Sequence, residues 1–168
     1  MIAMTRPDLV AARADQLDQV LALLTAAALP IDGVAAQFPT DYVVAVRAGA
    51  VIGAAGLERH GDAGVLRSVV VAPAARGQGL GQALSADRVA AARAHGLAAV
   101  YLLTTTAGEF YQRLGFAPCP RAAVPAAVAG SIEFATVCPA SAACLRLDLR
   151  DPLRPFGEVP VSLPGGSR

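Results

Sequence analysis

Three stretches of this 168-residue chain predict an α/β (α+β) fold built on one mixed, mostly antiparallel sheet with flanking helices. The first is Val69-Val70-Val71-Ala72-Pro73-Ala74-Ala75-Arg76-Gly77-Gln78-Gly79-Leu80-Gly81. It reads as a strand stopped at a proline, a glycine-rich turn and the start of a helix. The second is residues 41–71, three extended segments separated by Ala48-Gly49 and His60-Gly61-Asp62, which predict an antiparallel meander. The third is residues 98–104, a continuous apolar run ending in hydroxyls, suited to a strand buried on both faces as in a parallel pair.

The other elements follow in order. Residues 9–14 read as a first strand. Asp15 then stands as an N-cap, with Asp18 in the first helical turn. Leu17, Val20, Leu21, Leu24 and Ala28 share one face of a helix that Pro30 closes. Residues 30–39 are a loop or irregular helix. Strands follow over 41–47, 50–58 and 64–71. A helix over 79–95 places Leu80, Ala83, Leu84, Ala90, Ala91 and Ala94 on one face, with Asp87 amid them, and Gly96 ends it. Asp87 is either paired with a nearby arginine or catalytic. Residues 108–114 predict a short helix stopped by Gly115, residues 124–134 are partly helical, and residues 142–149 alternate as a last strand. One domain spans 1–150. The tail 151–168, with Pro152, Pro155, Pro160 and Pro164, is expected to be disordered or loosely packed.

Composition narrows the function. The chain is 55% hydrophobic but 5% aromatic, so its core must be mostly Ala, Val and Leu. Net charge is +1, acids and bases are interleaved, and no basic run suits a nucleic-acid backbone. No signal peptide or membrane span is expected. Cys119, Cys138 and Cys144 lack a Cys-x-x-Cys spacing and read as reduced thiols of a cytoplasmic protein. His60 and His95 lie far in sequence from the cysteines, so neither a Cys/His nucleophile nor a metal site is expected.

The 69–81 stretch carries the clearest chemistry. Backbone N–H groups of a glycine loop, backed by the positive end of a helix macrodipole, make an anion site. Arg76 adds a donor fork suited to phosphate. A P-loop would end in Gly-Lys-Ser/Thr, and this loop ends Gly79-Leu80-Gly81. The dinucleotide fingerprint would need a glycine where Gln82 stands. An ordinary βα turn is the alternative. The remaining pattern, Arg76-x-x-Gly79-x-Gly81 after a valine strand, resembles the acetyl-CoA pyrophosphate loop of the Gcn5-related N-acetyltransferases (GNAT).

That resemblance implies a sheet of about seven strands in which the strand before the loop splays from a parallel neighbour. It implies acetyl-CoA as co-substrate, with Arg76, Gly77, Gln78, Gly79, Leu80, Gly81 and Gln82 at the pyrophosphate. Val69, Val70 and Val71 would bond the pantetheine arm and the thioester carbonyl through their backbone. Phe110-Tyr111-Gln112-Arg113-Leu114-Gly115-Phe116 resembles the family's Tyr-x-x-x-Gly-Phe signature, whose tyrosine protonates the departing sulfur. Tyr111 takes that role or is a packed aromatic. Where many relatives carry a glutamate on the long strand, this chain has Val65 or a neighbour. The alternatives are then Glu58 as base, a water-relayed base, or no dedicated base. Glu58, ending an apolar strand, is either a base whose pKa burial raises or a solvated turn residue. Arg67 and Ser68 interrupt an apolar strand. Arg67 would bind a substrate carboxylate, or an internal partner such as Glu58. Thr104, Thr105 and Thr106 are hydroxyls at a strand end where a polar ligand docks or a strand simply stops.

Several longer blocks narrow the resemblance further. They are residues 56–62, 66–73, 101–107, Ser131-Ile132-Glu133-Phe134 and Cys138-Pro139-Ala140-Ser141-Ala142. Together they resemble the second type of N-acetyltransferase encoded in bacterial arsenic-resistance operons, over residues 9–149. Some blocks are also similar to the acetyltransferase domain of N-acetylglutamate synthases. Both resemblances imply an amine acceptor that is a small acidic amino acid, glutamate or an arsinothricin- or phosphinothricin-like analogue, and the family admits a homodimer. A CoA-binding regulatory module and an acetyltransferase for peptide or antibiotic amines are the alternatives.

Overall fold

The computed structural model describes residues 7–137 and 139–150. The predicted tail and Cys138 lie outside them. Strand β1 (Asp8–Ala11) leads through a short 3-10 turn (Ala14–Gln16) into helix α1 (Leu17–Ala26). Asp15 is not the N-cap. It lies inside that turn with its carboxylate on Arg13, at 3.0 Å, while the Arg13 N–H donates to Gln16 Oε1. Helix α1 ends before Pro30, where Ala28 turns the chain at a φ of 56°. Helix α2 (Val34–Gln37) is a single turn inside the predicted irregular segment.

Strands β2 (Tyr42–Arg47), β3 (Ala50–His60) and β4 (Ala63–Val71) form the meander. Ala48 and Gly49, at φ 50° and 78°, make the two-residue turn with the positive φ pair that fits the twist of a hairpin. Helix α3 (Leu80–Ala94), strand β5 (Ala99–Thr104), helix α4 (Gly108–Arg113) and strand β6 (Ala117–Pro118) follow. Helix α5 (Ala126–Ala129), a π-helical turn (Glu133–Val137) and strand β7 (Ala143–Asp148) complete the described chain. The seven strands make one sheet in the order β1-β2-β3-β4-β5-β7-β6, antiparallel except for β4 with β5.

Helices α3 and α4 cover one face. Val89, Tyr111 and Phe116 pack there against Leu57, Val100, Leu102 and Leu145, and Leu80 and Leu84 against Val43, Ala45 and Ala55. Gly53 lets α3 approach, since a Cβ there would lie 2.9 Å from Leu84. Helix α1 packs Val20 and Leu24 on the other face against Tyr42, Ala54 and Val70, and Val128 of α5 covers Val65 and Tyr101 farther along. The buried stripe of α3 is Leu80, Leu84, Ser85, Val89 and Ala92. Ala90 and Ala94, predicted on that stripe, are exposed, because an alanine-rich helix gives little hydrophobic contrast to orient it. Asp87 lies off the stripe and pairs with Arg88 at 2.7 Å.

Two features of β4 prepare the site. Its parallel ladder with β5 covers only Ala63, Gly64 and Val65, after which the two strands part. Beyond that point a bulge sets Ser68 and Val69 against the single residue Ala55. Ser68 takes the left-handed φ of 57° there and its Oγ lies 3.1 Å from the Tyr42 hydroxyl.

Candidate active site

The gap between β4 and β5 opens into a cleft of about 490 Å³. Its walls come from 66–71 on β4, 102–107 at the end of β5, the 27–30 turn after α1, and Tyr111, Arg76 and Glu133. Geometry requires such a gap. Two strands paired at one end and separated at the other leave backbone groups along the inner edge of β4 without a ladder. The Ala72 N–H donates to the Ile52 carbonyl of β3 at 2.8 Å, so by strand alternation Val71 turns its own N–H and C=O toward the cleft.

Arg76, which lines the cleft, begins the glycine loop. A 3-10 turn (Pro73–Ala75) follows β4, then Gly77 and Gly79 each take a φ of 78°. A Cβ at either position would meet nothing within 4 Å, so the positive φ rather than crowding calls for glycine. Gly79 is the N-cap of α3, and no side chain caps it. The first intrahelical bond runs from Ala83 to Gly79, at 3.1 Å, leaving the Leu80, Gly81 and Gln82 N–H groups without an intrahelical acceptor. The Leu80 side chain is buried in the core, so only its backbone can serve a ligand. Arg76 is exposed and folds back so that its Nε donates to the Val71 carbonyl at 3.2 Å. These groups fit a diphosphate running into an extended chain that lies along β4.

Tyr111, on α4, lines the cleft with 7% of its surface exposed and packs edge-on against Phe110 and Phe116. Burial pushes its phenol up to about 12. It therefore holds its proton throughout the neutral range, the state a donor needs. Ser68, Thr104 and Thr105 also line the cleft. Thr104 Oγ1 accepts from the Ala107 N–H at 2.9 Å, capping the chain as it leaves β5, and its own hydroxyl proton remains to be donated.

At the far end sits Arg67, with no side-chain surface exposed. Nη1 donates to Glu58 at 2.6 Å, and Nη2 donates to the Asp32 carbonyl at 2.7 Å and lies 3.1 Å from Glu133. Of the two partners the sequence left open, the internal one is present, and Glu133 joins it. Arg67 Nε is buried with no hydrogen-bond partner. Glu58 is 13% exposed, also meets His60 at 3.0 Å, and lies beside the cleft rather than among its lining residues. Val65 is fully packed under α5 and supplies no acid.

Residues 39–118 match the family model described as an acetyltransferase (GNAT) domain. That match spans just under half of the chain. Solved GNAT-type structures share its fold. Rv2747 from Mycobacterium tuberculosis, in complex with CoA and NLQ, is 26% identical with a TM-score of 0.74, over 85% of this chain and 99% of that one. N-acetylglutamate synthase from Neisseria gonorrhoeae, complexed with coenzyme A and N-acetyl-glutamate, is 19% identical with a TM-score of 0.74. That match covers 85% of this chain and 35% of the synthase, about a third of its length. A GNAT-family acetyltransferase from Staphylococcus aureus Mu50 is 14% identical with a TM-score of 0.72 over 86% of this chain. No curated protein matches the chain. With the family match over residues 39–118 and the fold in agreement, the chain is an N-acetyltransferase.

Arg76, Val69–Val71, Tyr111, Ser68, Arg67, Thr104 and Thr105 line one cleft, Glu58 stands one side chain away, and Gln78, Gly79 and Leu80 instead line a second pocket with Pro7, Leu9 and Arg47. The sequence reading gave Glu133 no role. Its one signal was an acid alone in the apolar stretch from Val124 to Val137. Among the described residues no cluster of His, Cys, Asp and Glu could hold a metal ion, and no helix is long and apolar enough to cross a membrane.

Proposed function

We propose that this N-acetyltransferase uses acetyl-CoA to acetylate the α-amine of a small amino acid of the glutamate class, arsinothricin- and phosphinothricin-like analogues included. The observation that carries this reading is one continuous cleft. It runs from Arg76, at the start of a phosphate-suited loop, along an open strand edge to a polar wall of Arg67, Ser68 and Glu133. The relatives crystallised with CoA and with NLQ or N-acetyl-glutamate support the substrate class. An arsenic-resistance role follows in this reading only through an arsenic-containing glutamate analogue as acceptor.

Arg76 and the N–H groups of residues 77–82 would hold the diphosphate, and the inner edge of β4 at Val69 and Val71 would hold the pantetheine, the Val70 backbone being turned instead toward Ala54 of β3. Bound acetyl-CoA supplies an activated acetyl thioester. A backbone N–H of the open β4 edge donates to the thioester carbonyl as charge develops there. Tyr111, protonated at neutral pH, donates to the departing sulfur. Loss of the acceptor's proton falls to Glu58 or to water beside it. With Nη1 and Nη2 of Arg67 engaged, acceptor carboxylate oxygens have Ser68, Thr104 and Thr105 hydroxyls and Arg67 Nε as donors.

The test is CoA thiol release from acetyl-CoA with glutamate, glutamine, aspartate, phosphinothricin, arsinothricin and an aminoglycoside control. Release with one or more of the amino acids and not with the aminoglycoside is the expected result. Saturable acetyl-CoA binding with no release for any acceptor would overturn the reading in favour of a CoA-binding module.

A further inference from the structure

Two thiols face each other where the last strand of the sheet ends. The β6–β7 register pairs Ala117 with Arg146 and Pro118 with Leu145, so the next residues, Cys119 and Cys144, stand directly opposite. The Cys119 N–H donates to the Cys144 carbonyl at 2.9 Å, the bond expected of a hydrogen-bonded antiparallel pair. Residues opposed in this way have Cα atoms about 5.5 Å apart, within the roughly 4.4–6.8 Å that a disulfide spans. Their side chains also share a face. Cys119 packs with Val65, Tyr101 and Val128, and Arg146, two residues along β7 from Cys144, lies over the Tyr101 ring. Both cysteines are free thiols. They differ in access. Cys144 is 8% exposed, and burial, with Cys119 beside it, pushes its thiol up to about 11. Cys119 is partly exposed, and its thiol donates only to the Pro120 carbonyl, at 3.5 Å.

We propose that Cys119 and Cys144 are a thiol-modification site that closes a cross-strand disulfide by exchange with a small-molecule disulfide of the glutathione class. Cys119, the accessible member, loses its proton and attacks one sulfur of the oxidant. The oxidant's S–S bond breaks, and the departing thiolate takes up a proton. Cys144 then gives its proton to water and attacks Cys119 Sγ, which breaks the mixed disulfide and releases the second small thiol. Two protein thiols are oxidised and one disulfide is reduced to two thiols. The buried thiol suits the second step, because its target is already held opposite it while an outside oxidant is kept away. The new bond ties β6 to β7 and closes a loop that carries α5 and the π-helical turn. It stands next to the cleft, since Ala142, two residues before Cys144, and Leu103, paired with Cys144 on β5, both line the cleft.

The experiment incubates the reduced, folded full chain with millimolar oxidised glutathione, titrates thiols in denaturant and maps bonds by peptide mass. Titratable thiols should fall from three to one, with Cys119 linked to Cys144 in the same chain and Cys138 left free. Reduced glutathione should reverse the bond. In Cys144→Ser the exchange should stop after its first step, with one glutathione on Cys119. Cys138→Ser should close the bond as wild type does. The deciding measurement is made on wild type, so a variant that fails to fold does not remove it. Three unaltered thiols in wild type overturn the proposal. So do a glutathione adduct on Cys119 that never closes, a bond that uses Cys138, and a bond between chains. An equal yield of the Cys119–Cys144 bond from chain unfolded in urea would show that the fold does not select the pair, and also overturns it.

Discussion

Arg67 is the residue on which this site turns. Its charge is buried, and three acceptors from three separate segments hold it. Its removal would do more than lose a ligand contact, because Glu58 and Glu133 would face each other without their shared cation. Arg67→Met should cost about 3–5 kcal/mol of stability, read as a fall in denaturant midpoint with little change in slope. A loss below about 1 kcal/mol would show that water reaches the cluster and screens it. Tyr111 acts at the same scale. Its folded pKa of about 12 lies above the ordinary value of 10.0, so the folded chain holds that proton more tightly than the unfolded one. The stability linked to it is complete below about pH 10 and is lost as pH rises through about 12. Tyr111→Phe should remove that alkaline dependence, seen in denaturation midpoints measured from pH 9 to 12, roughly the span of the shift. If the phenol donates to sulfur, the same variant should lower kcat by roughly 10²-fold or more with acetyl-CoA binding intact.

The element that matters most is the β4–loop–α3 unit. A strand with one open edge, a loop with two left-handed glycines and an uncapped helix start together present donors in a row. Gly79→Ala tests the loop without crowding it, since a Cβ there has open space. The cost is conformational, about 1–2 kcal/mol for an L side chain at that positive φ. The expected outcome is a fall in stability of that order with weaker acetyl-CoA binding by calorimetric titration. Unaltered binding would mean that the loop rearranges around its ligand rather than being preformed.

Over the whole molecule, the cleft sits where the sheet divides. On one side β4 belongs with β1, β2 and β3, and on the other β5 belongs with β7 and β6, joined by only three parallel pairs. A ligand that bonds the open edge bridges these halves and stabilises the folded state alone. Acetyl-CoA at about a hundred times its Kd should add about 2.7 kcal/mol, visible as a rise in Tm of several degrees. Arg76→Ala should lessen the rise at the same ligand concentration. Absence of any rise in wild type at millimolar acetyl-CoA would contradict the proposed site.

The sequence by itself determined the loop, the meander and the order of most elements. Those signals are local. Positive φ selects glycine, strands alternate with the pleat, and a proline stops a strand wherever it stands. It also named the two partners open to Arg67 without choosing between them. Only the tertiary structure decided that choice, added Glu133 from a segment far along the chain, and turned α3 onto Leu84, Ser85 and Val89 instead of its outer alanines. It alone ended the β4–β5 ladder after Val65 and placed the bulge at Ser68. Ion pairs, register shifts and helix rotation depend on groups brought together from distant positions, and no window of neighbouring residues encodes them.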